Sequence, residues 1–265
     1  MIEFLKNVTF AMEKCDPQIR IFGMYHIVLF LASFAVFHYI IIKQDNSKRA
    51  NTIVKISTIL MAALQIVTYI WYIITPSEDF FLKALPLYTC RMTLWLFVAG
   101  IFFKKDKCLK LATYWGVYGG IAGLTVPTVF HYPFPHILQI ATFVLHIYIF
   151  LVGSHYLFVK KIGMNLKDCK WCIKITTGLI LFNAVFNYIF ETNYISTRFI
   201  PYSITSLIGF TLPNFLCMPA VILAYVAVTY FQYWAANKAI NYMENKKERI
   251  SINNAMKGET SCDSE

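Results

Sequence analysis

Cys90 and His146 are the residues of this chain best suited to chemistry. A cysteine thiolate is a nucleophile, and an imidazole can take the thiol proton and later return it to a leaving group, which is the logic of acyl transfer. Beside the thiol stands Arg91, the one formal charge set inside an almost wholly apolar run over residues 83–103. A charge there is costly and marks a functional site, although Arg91 is close enough to one end to snorkel toward the headgroups. Its guanidinium matches phosphate oxygens bidentately. Taken alone, the two residues also read as a small packing cysteine and a histidine bonded to a neighbouring helix, the commoner use of both in a membrane. The elements that carry them decide whether they can meet.

Those elements are membrane helices. Across 265 residues, 58% hydrophobic, 17% aromatic and 14% charged composition does not suit a water-soluble surface. The net charge of +10 sits in short clusters between apolar runs, where it sets topology and does not point to nucleic acid. Seven cysteines without regular spacing argue against a disulfide framework. Cys169 and Cys172 have a redox spacing, but they fall in a basic loop with no strand context, so coincidence is the better reading. No Asp or Glu falls inside an apolar run, and neither a Walker loop nor an HExxH motif is present. That argues against cation-coupled transport and metal catalysis, and neither a metal nor a cofactor is expected.

The expected fold is all-α: a polytopic membrane bundle of seven transmembrane helices. Residues 1–22 read as an interfacial amphipathic segment, and 1–20 shows no signal peptide. Residues 23–235 form the seven-helix domain, and 236–265 a polar cytoplasmic tail, partly disordered. The predicted spans are 23–42, 56–75, 83–103, 111–130, 136–159, 175–190 and 207–235, separated by basic loops at 43–55, 104–110 and 160–174 and an acidic turn at 76–79. Gly116, Gly119, Gly120 and Gly123 let neighbours approach the fourth span closely. The short turn 132–135 makes the fourth and fifth spans antiparallel neighbours. Eighteen of the 24 Lys and Arg fall in the first, third and fifth loops and the tail, and five in the alternate segments. By the positive-inside rule the N-terminus lies outside and the C-terminus in the cytoplasm.

Topology then fixes depth. The third and fifth spans both enter from outside, with Cys90 and His146 roughly 10 and 15 Å along their axes. The two spans must therefore be adjacent, with sulfur and imidazole roughly 3 to 4 Å apart. With no acidic partner within reach, His146 should be oriented by a neutral group such as Asn187, Gln139 or a tyrosine hydroxyl. Asn183 and Asn187 share a face and serve this purpose or cap a helix contact. His26 faces the same cavity or the interface. The cavity should open to the outer leaflet, with Arg91 at its polar rim.

Leu85, Pro86, Leu87, Tyr88, Thr89 and Cys90 resemble the LPLHxC-type signature of the YwaF-like bacterial integral membrane proteins, which share a family with the eukaryotic transmembrane protein one-six-four acyltransferases. Phe22, Gly23, Met24, Tyr25 and His26 are similar to the family's opening segment, Tyr114, Trp115 and Gly116 to its fourth span, and Phe143 to His146 to its fifth. Asn187 and Tyr188, followed by Gly209 and Pro213, are similar to its close, so the likeness covers about residues 20 to 235. Tyr88 stands where many bacterial members carry His. The resemblance implies an acyl-cysteine catalytic pair that falls on Cys90 and His146. The expected function is thus a membrane-embedded phospholipid acyltransferase (transacylase) of the cell membrane. It would move an acyl chain from a phospholipid to a lysolipid or other hydroxyl through an acyl-cysteine, with Arg91, Tyr88, His26, Asn187 and Gln139 binding substrate. The alternative is a non-catalytic lipid-binding or lipid-transport protein. Its partners are membrane phospholipids and lysolipids, and the sequence sets no oligomeric state.

Overall fold

In hydrocarbon a backbone satisfies its polar groups only by closing into helices or a barrel, and apolar runs of this length take the first course. The computed structural model describes residues 5–11, 23–75, 82, 84–127, 132–201, 204–205 and 209–262. Among them there is no strand, and the main helices are α1 (Met24–Lys43), α2 (Lys48–Ile74), α3 (Thr89–Phe102), α4 (Asp106–Thr125), α5 (Ile137–Ser154), α6 (Leu166–Ile189) and α7 (Asn214–Cys262). A π-helical turn, His155–Val159, prolongs α5. Five stretches are long and apolar enough to cross a membrane: Met24–Lys43, Lys48–Ile74, Ile137–Val159, Leu166–Ile189 and Asn214–Lys246. α3 is apolar but shorter, and α4 opens on Asp106, Lys107 and Lys110.

Several boundaries differ from the sequence expectation, each for a local reason. Pro86 lacks an N–H and biases the residue before it to extended backbone, so the third span does not run unbroken from 83. Residues 85–88 form a turn and α3 starts at Thr89. α2 and α6 begin inside stretches expected as basic loops, because Ser47 and Asn165 cap them: Ser47 Oγ accepts from Ala50 N at 3.1 Å and Asn165 Oδ1 from Asp168 N at 2.7 Å. α7 carries Pro219 near its start and continues past 235 to Cys262. Of the segment expected over 1–22, residues 5–11 are described, with a π turn at Leu5–Thr9. The acidic turn at 76–79 lies outside the described residues.

α5 is the central helix, most of its side chains buried. Its most extensive partner is α4, and α1, α2 and α3 also pack on it, while α6 and α7 pair on the far side of α4. Glycine makes the α4–α5 approach possible. A Cβ on Gly120 would lie 2.5 Å from Phe150 Cβ and 2.8 Å from its Cα, and one on Gly116 2.6 Å from the Ile149 carbonyl oxygen. One end of the bundle gathers Lys110 with Asp168 at 2.8 Å, Lys160 with Asn46, and Lys161 with Glu244. At the other end His136 Nε2 donates to the Ala11 carbonyl at 3.1 Å and His26 Nε2 to the Leu124 carbonyl at 2.6 Å.

The glycines are not equivalent, since a Cβ on Gly119 meets nothing within 4 Å. Gly120→Ala should lower stability by about 1–3 kcal/mol through overpacking, whereas Gly119→Ala should raise it by roughly 0.5–1 kcal/mol through helix entropy. Thermal unfolding of the two variants in detergent measures the contrast; equal effects would refute the close α4–α5 contact.

Candidate functional site

The break at Pro86 puts Cys90 in the first turn of a helix. Tyr88 is the N-cap with extended backbone (φ −74, ψ 134), so Thr89, Cys90 and Arg91 are the first three helical residues. Their N–H groups have no carbonyl of their own helix to bond, and the peptide dipoles sum to partial positive charge at this end. The Thr89 hydroxyl lies 3.4 Å from the Tyr225 hydroxyl, which reaches in from α7. The thiol itself is half-buried.

His146 comes from the middle of α5, two residues before Tyr148, whose hydroxyl donates to Thr58 on α2 at 2.8 Å. Its Nδ1 lies 2.7 Å from the Thr142 carbonyl oxygen, one helical turn back. A carbonyl only accepts, so Nδ1 carries the proton and Nε2 the lone pair. The imidazole lies against the bare backbone of Gly123 on α4, where a Cβ would stand 1.9 Å from Cδ2 and 2.2 Å from Nε2. The Cys90 thiol and the His146 imidazole are neighbours, each within electrostatic reach of the other. With Nδ1 committed to Thr142, Nε2 is the nitrogen left for the thiol. α3 and α5 are in contact although not consecutive, which is what a shared depth for the two residues requires.

The remaining expected site residues sit apart from this pair or serve other ends. Arg91 does not stand free at a rim. Its guanidinium lies 5.3 Å from the ring centroids of Tyr72 and Tyr88 and 6.0 Å from that of Tyr69, and it donates to the Leu85 carbonyl and the Tyr72 hydroxyl, each at 3.4 Å. Tyr88 also meets Tyr194 edge to face at 4.7 Å. His26 is buried against the last turn of α4 through its bond to Leu124, one residue from Gly123. Gln139 completes the capping box of α5, its Oε1 accepting from His136 N at 3.4 Å and its Nε2 donating to the Tyr132 carbonyl at 3.4 Å. Asn187 is wholly buried and orders the loop after α6: it donates to the Tyr194 carbonyl and Thr197 hydroxyl at 2.7 Å and accepts from Tyr194 N at 2.8 Å. The neutral group that orients His146 is therefore the Thr142 carbonyl. Asn187, Gln139 and a tyrosine hydroxyl, the expected orienters, are replaced by main chain.

Thr142, Gly123, Thr89 and Tyr225 are not among the site residues expected from sequence. The Thr142 contact runs through the carbonyl four residues before the imidazole, which any residue supplies. Gly123 belonged to a packing motif, and only coordinates show that it faces a histidine.

Neither a curated protein nor a solved structure matches the chain. A profile of the TMEM164 family does, over residues 18–233, a stretch that takes in α1 to α6, the first part of α7, and both Cys90 and His146. With the match covering most of its length, this integral membrane protein belongs to the TMEM164 family.

Proposed function

We propose that the protein is a membrane-embedded phospholipid transacylase in which Cys90 is the nucleophile and His146 the general base and acid. The observation that carries this reading is a thiol placed beside an imidazole whose Nδ1 is committed to the Thr142 carbonyl. Nε2 takes the proton from Sγ as sulfur attacks the ester carbonyl of a phospholipid. The oxyanion that forms faces the N–H groups at the start of α3, with the Thr89–Tyr225 hydroxyl pair beside them. Collapse breaks the ester C–O bond, and the departing alkoxide takes the proton back from Nε2, leaving an acyl-cysteine and a lysolipid. A hydroxyl of a second lipid then repeats the sequence in reverse roles: it gives its proton to Nε2, takes the acyl group, and frees the thiol. Arg91, held among tyrosine rings one residue from the sulfur, attracts the phosphate of the donor.

Full-length protein incubated with acyl-labelled phospholipid should acquire hydroxylamine-sensitive label on Cys90. Label and transfer should both vanish in Cys90→Ala, while lipid binding persists. Transfer at the wild-type rate in Cys90→Ser and His146→Ala would leave the non-catalytic lipid binder as the better account. Gly123→Ala offers a subtler check, because the added methyl displaces the imidazole without removing it. Turnover should fall about 10²-fold, as expected for a misplacement near 1 Å, with the circular dichroism spectrum unchanged. Retained turnover would show that His146 is not held where the reaction needs it.

The same proposal has seven spans in the cell membrane, the N-terminus outside and the C-terminus in the cytoplasm. It is supported by the 18 to 5 division of Lys and Arg between alternate segments and by the collection of Lys43, Lys110 and Lys160 at one end of the bundle. A phosphatase reporter fused at the C-terminus should be inactive and a fluorescent protein there bright. The opposite pattern would overturn the orientation.

A further inference from the structure

The outer face of α6 carries a feature that the thiol–imidazole site does not use. Lys167, Lys170, Trp171 and Lys174 follow one another at three- and four-residue spacing and so line one face of its first two turns. Together with Leu166 they border a cleft of about 500 Å³. The three ammonium groups are exposed and have no ion pair or hydrogen bond among the described residues, since the nearby Asp168 is taken by Lys110. Like charges at this spacing repel, and a helix that keeps three of them together gains from an anion placed between them. Trp171 is half-buried and packs against the buried cluster of Leu111, Tyr114 and Trp115, which makes it a fixed wall beside mobile cations.

The same face continues down the helix in apolar form. One turn below Lys174 comes Gly178, where a Cβ would meet nothing within 4 Å, and then Leu181, Phe182 and Val185, exposed by 46%, 55% and 61%. The buried residues Cys169, Cys172, Thr176, Ile180, Asn183 and Asn187 lie on the opposite side. From Lys174 to Val185 the track is about 17 Å long at 1.5 Å per residue, close to the length of an acyl chain. A cationic head, an interfacial tryptophan, a shallow glycine step and an apolar tail match the parts of one amphiphile.

We propose that this face of α6 is a binding site for an anionic phospholipid, distinct from the substrate of the thiol–imidazole pair: headgroup phosphate between Lys167, Lys170 and Lys174, glycerol against Trp171, and one acyl chain over Gly178 toward Val185. The lipid is retained rather than converted, and it holds the outward face of a helix that is anchored chiefly to α7.

Brominated lipids test this, since bromine on an acyl chain quenches a nearby indole. Full-length protein in phosphatidylcholine nanodiscs is titrated with brominated phosphatidylglycerol or brominated phosphatidylcholine, and the Trp171 signal is obtained by difference from Trp171→Phe. Phosphatidylglycerol should quench that component at a mole fraction at least about fivefold lower, with about fivefold lost for each lysine removed. The preference should vanish in the variant Lys167→Gln, Lys170→Gln, Lys174→Gln and persist in the matching Lys→Arg variant, which keeps the charge and guards against misfolding as the cause. Equal quenching by the two lipids overturns the site. So does a preference that survives in the glutamine variant, and displacement by millimolar inorganic phosphate would assign the lysines to a soluble anion.

Discussion

The bare backbone of α4 at Gly116, Gly120 and Gly123 is the surface on which the rest of the bundle is set. Lipid supplies no hydrophobic drive between helices, so their association depends on dispersion across close contacts. α5 lies near enough to α4 that Phe150 and the Ile149 carbonyl occupy the space of missing methyl groups, and Gly153 returns the favour against Val117. Because α5 is thus fixed as the central helix, α1, α2 and α3 take their places around it. The third glycine has a different neighbour. His146 lies on Gly123, so the contact that assembles the helices also holds the imidazole toward α3.

Many buried hydroxyls of the bundle are satisfied in one way, by donating to a backbone carbonyl or to another hydroxyl. Ser33, Thr58, Thr93, Thr113 and Ser154 donate to the carbonyl four residues back, at 2.6 to 2.8 Å. Tyr148 joins α5 to Thr58 on α2, and Trp115 joins α4 to Thr176 on α6, both at 2.8 Å. Leaving such groups unpaired in a low dielectric would cost more than the bonds contribute, so each link fixes a helix pair in one register. Asn187 extends the pattern to a loop, with four bonds folding residues 192–197 beneath Tyr88.

How much of this could be read from sequence follows from the range of each cause. Apolar runs and their charged borders are local, and they gave the order of the helices and the pairing of α4 with α5. Helix starts depend on single capping residues, and at Ser47 and Asn165 the lysines that follow carry the charge pattern of a loop. Pro86 is legible in the sequence, but its consequence, a helix that begins one residue before the cysteine, depends on the local backbone. The expectation of a shared depth for Cys90 and His146 rests on the count of spans and the charge bias, while the contact of α3 with α5 is a finding of the structure. The partner of Nδ1 was illegible, since a main-chain acceptor leaves no mark in residue types.

A carbonyl in that role suits a site with no carboxylate. An aspartate beside His146 would steady the imidazolium formed in the proposed reaction, but at rest, beside a neutral imidazole, it would stand as an uncompensated charge in the membrane interior. The Thr142 carbonyl fixes the same tautomer as a dipole and adds no net charge. In the proposed reaction, positive and negative charge appear together while the proton sits on Nε2. The negative charge passes from sulfur to the acyl oxygen, both beside the N-terminus of α3, where peptide dipoles already point. Pro86 puts that helix end inside the bundle rather than at its edge, and this is how a chain without an intramembrane acid can meet the charge its chemistry would create.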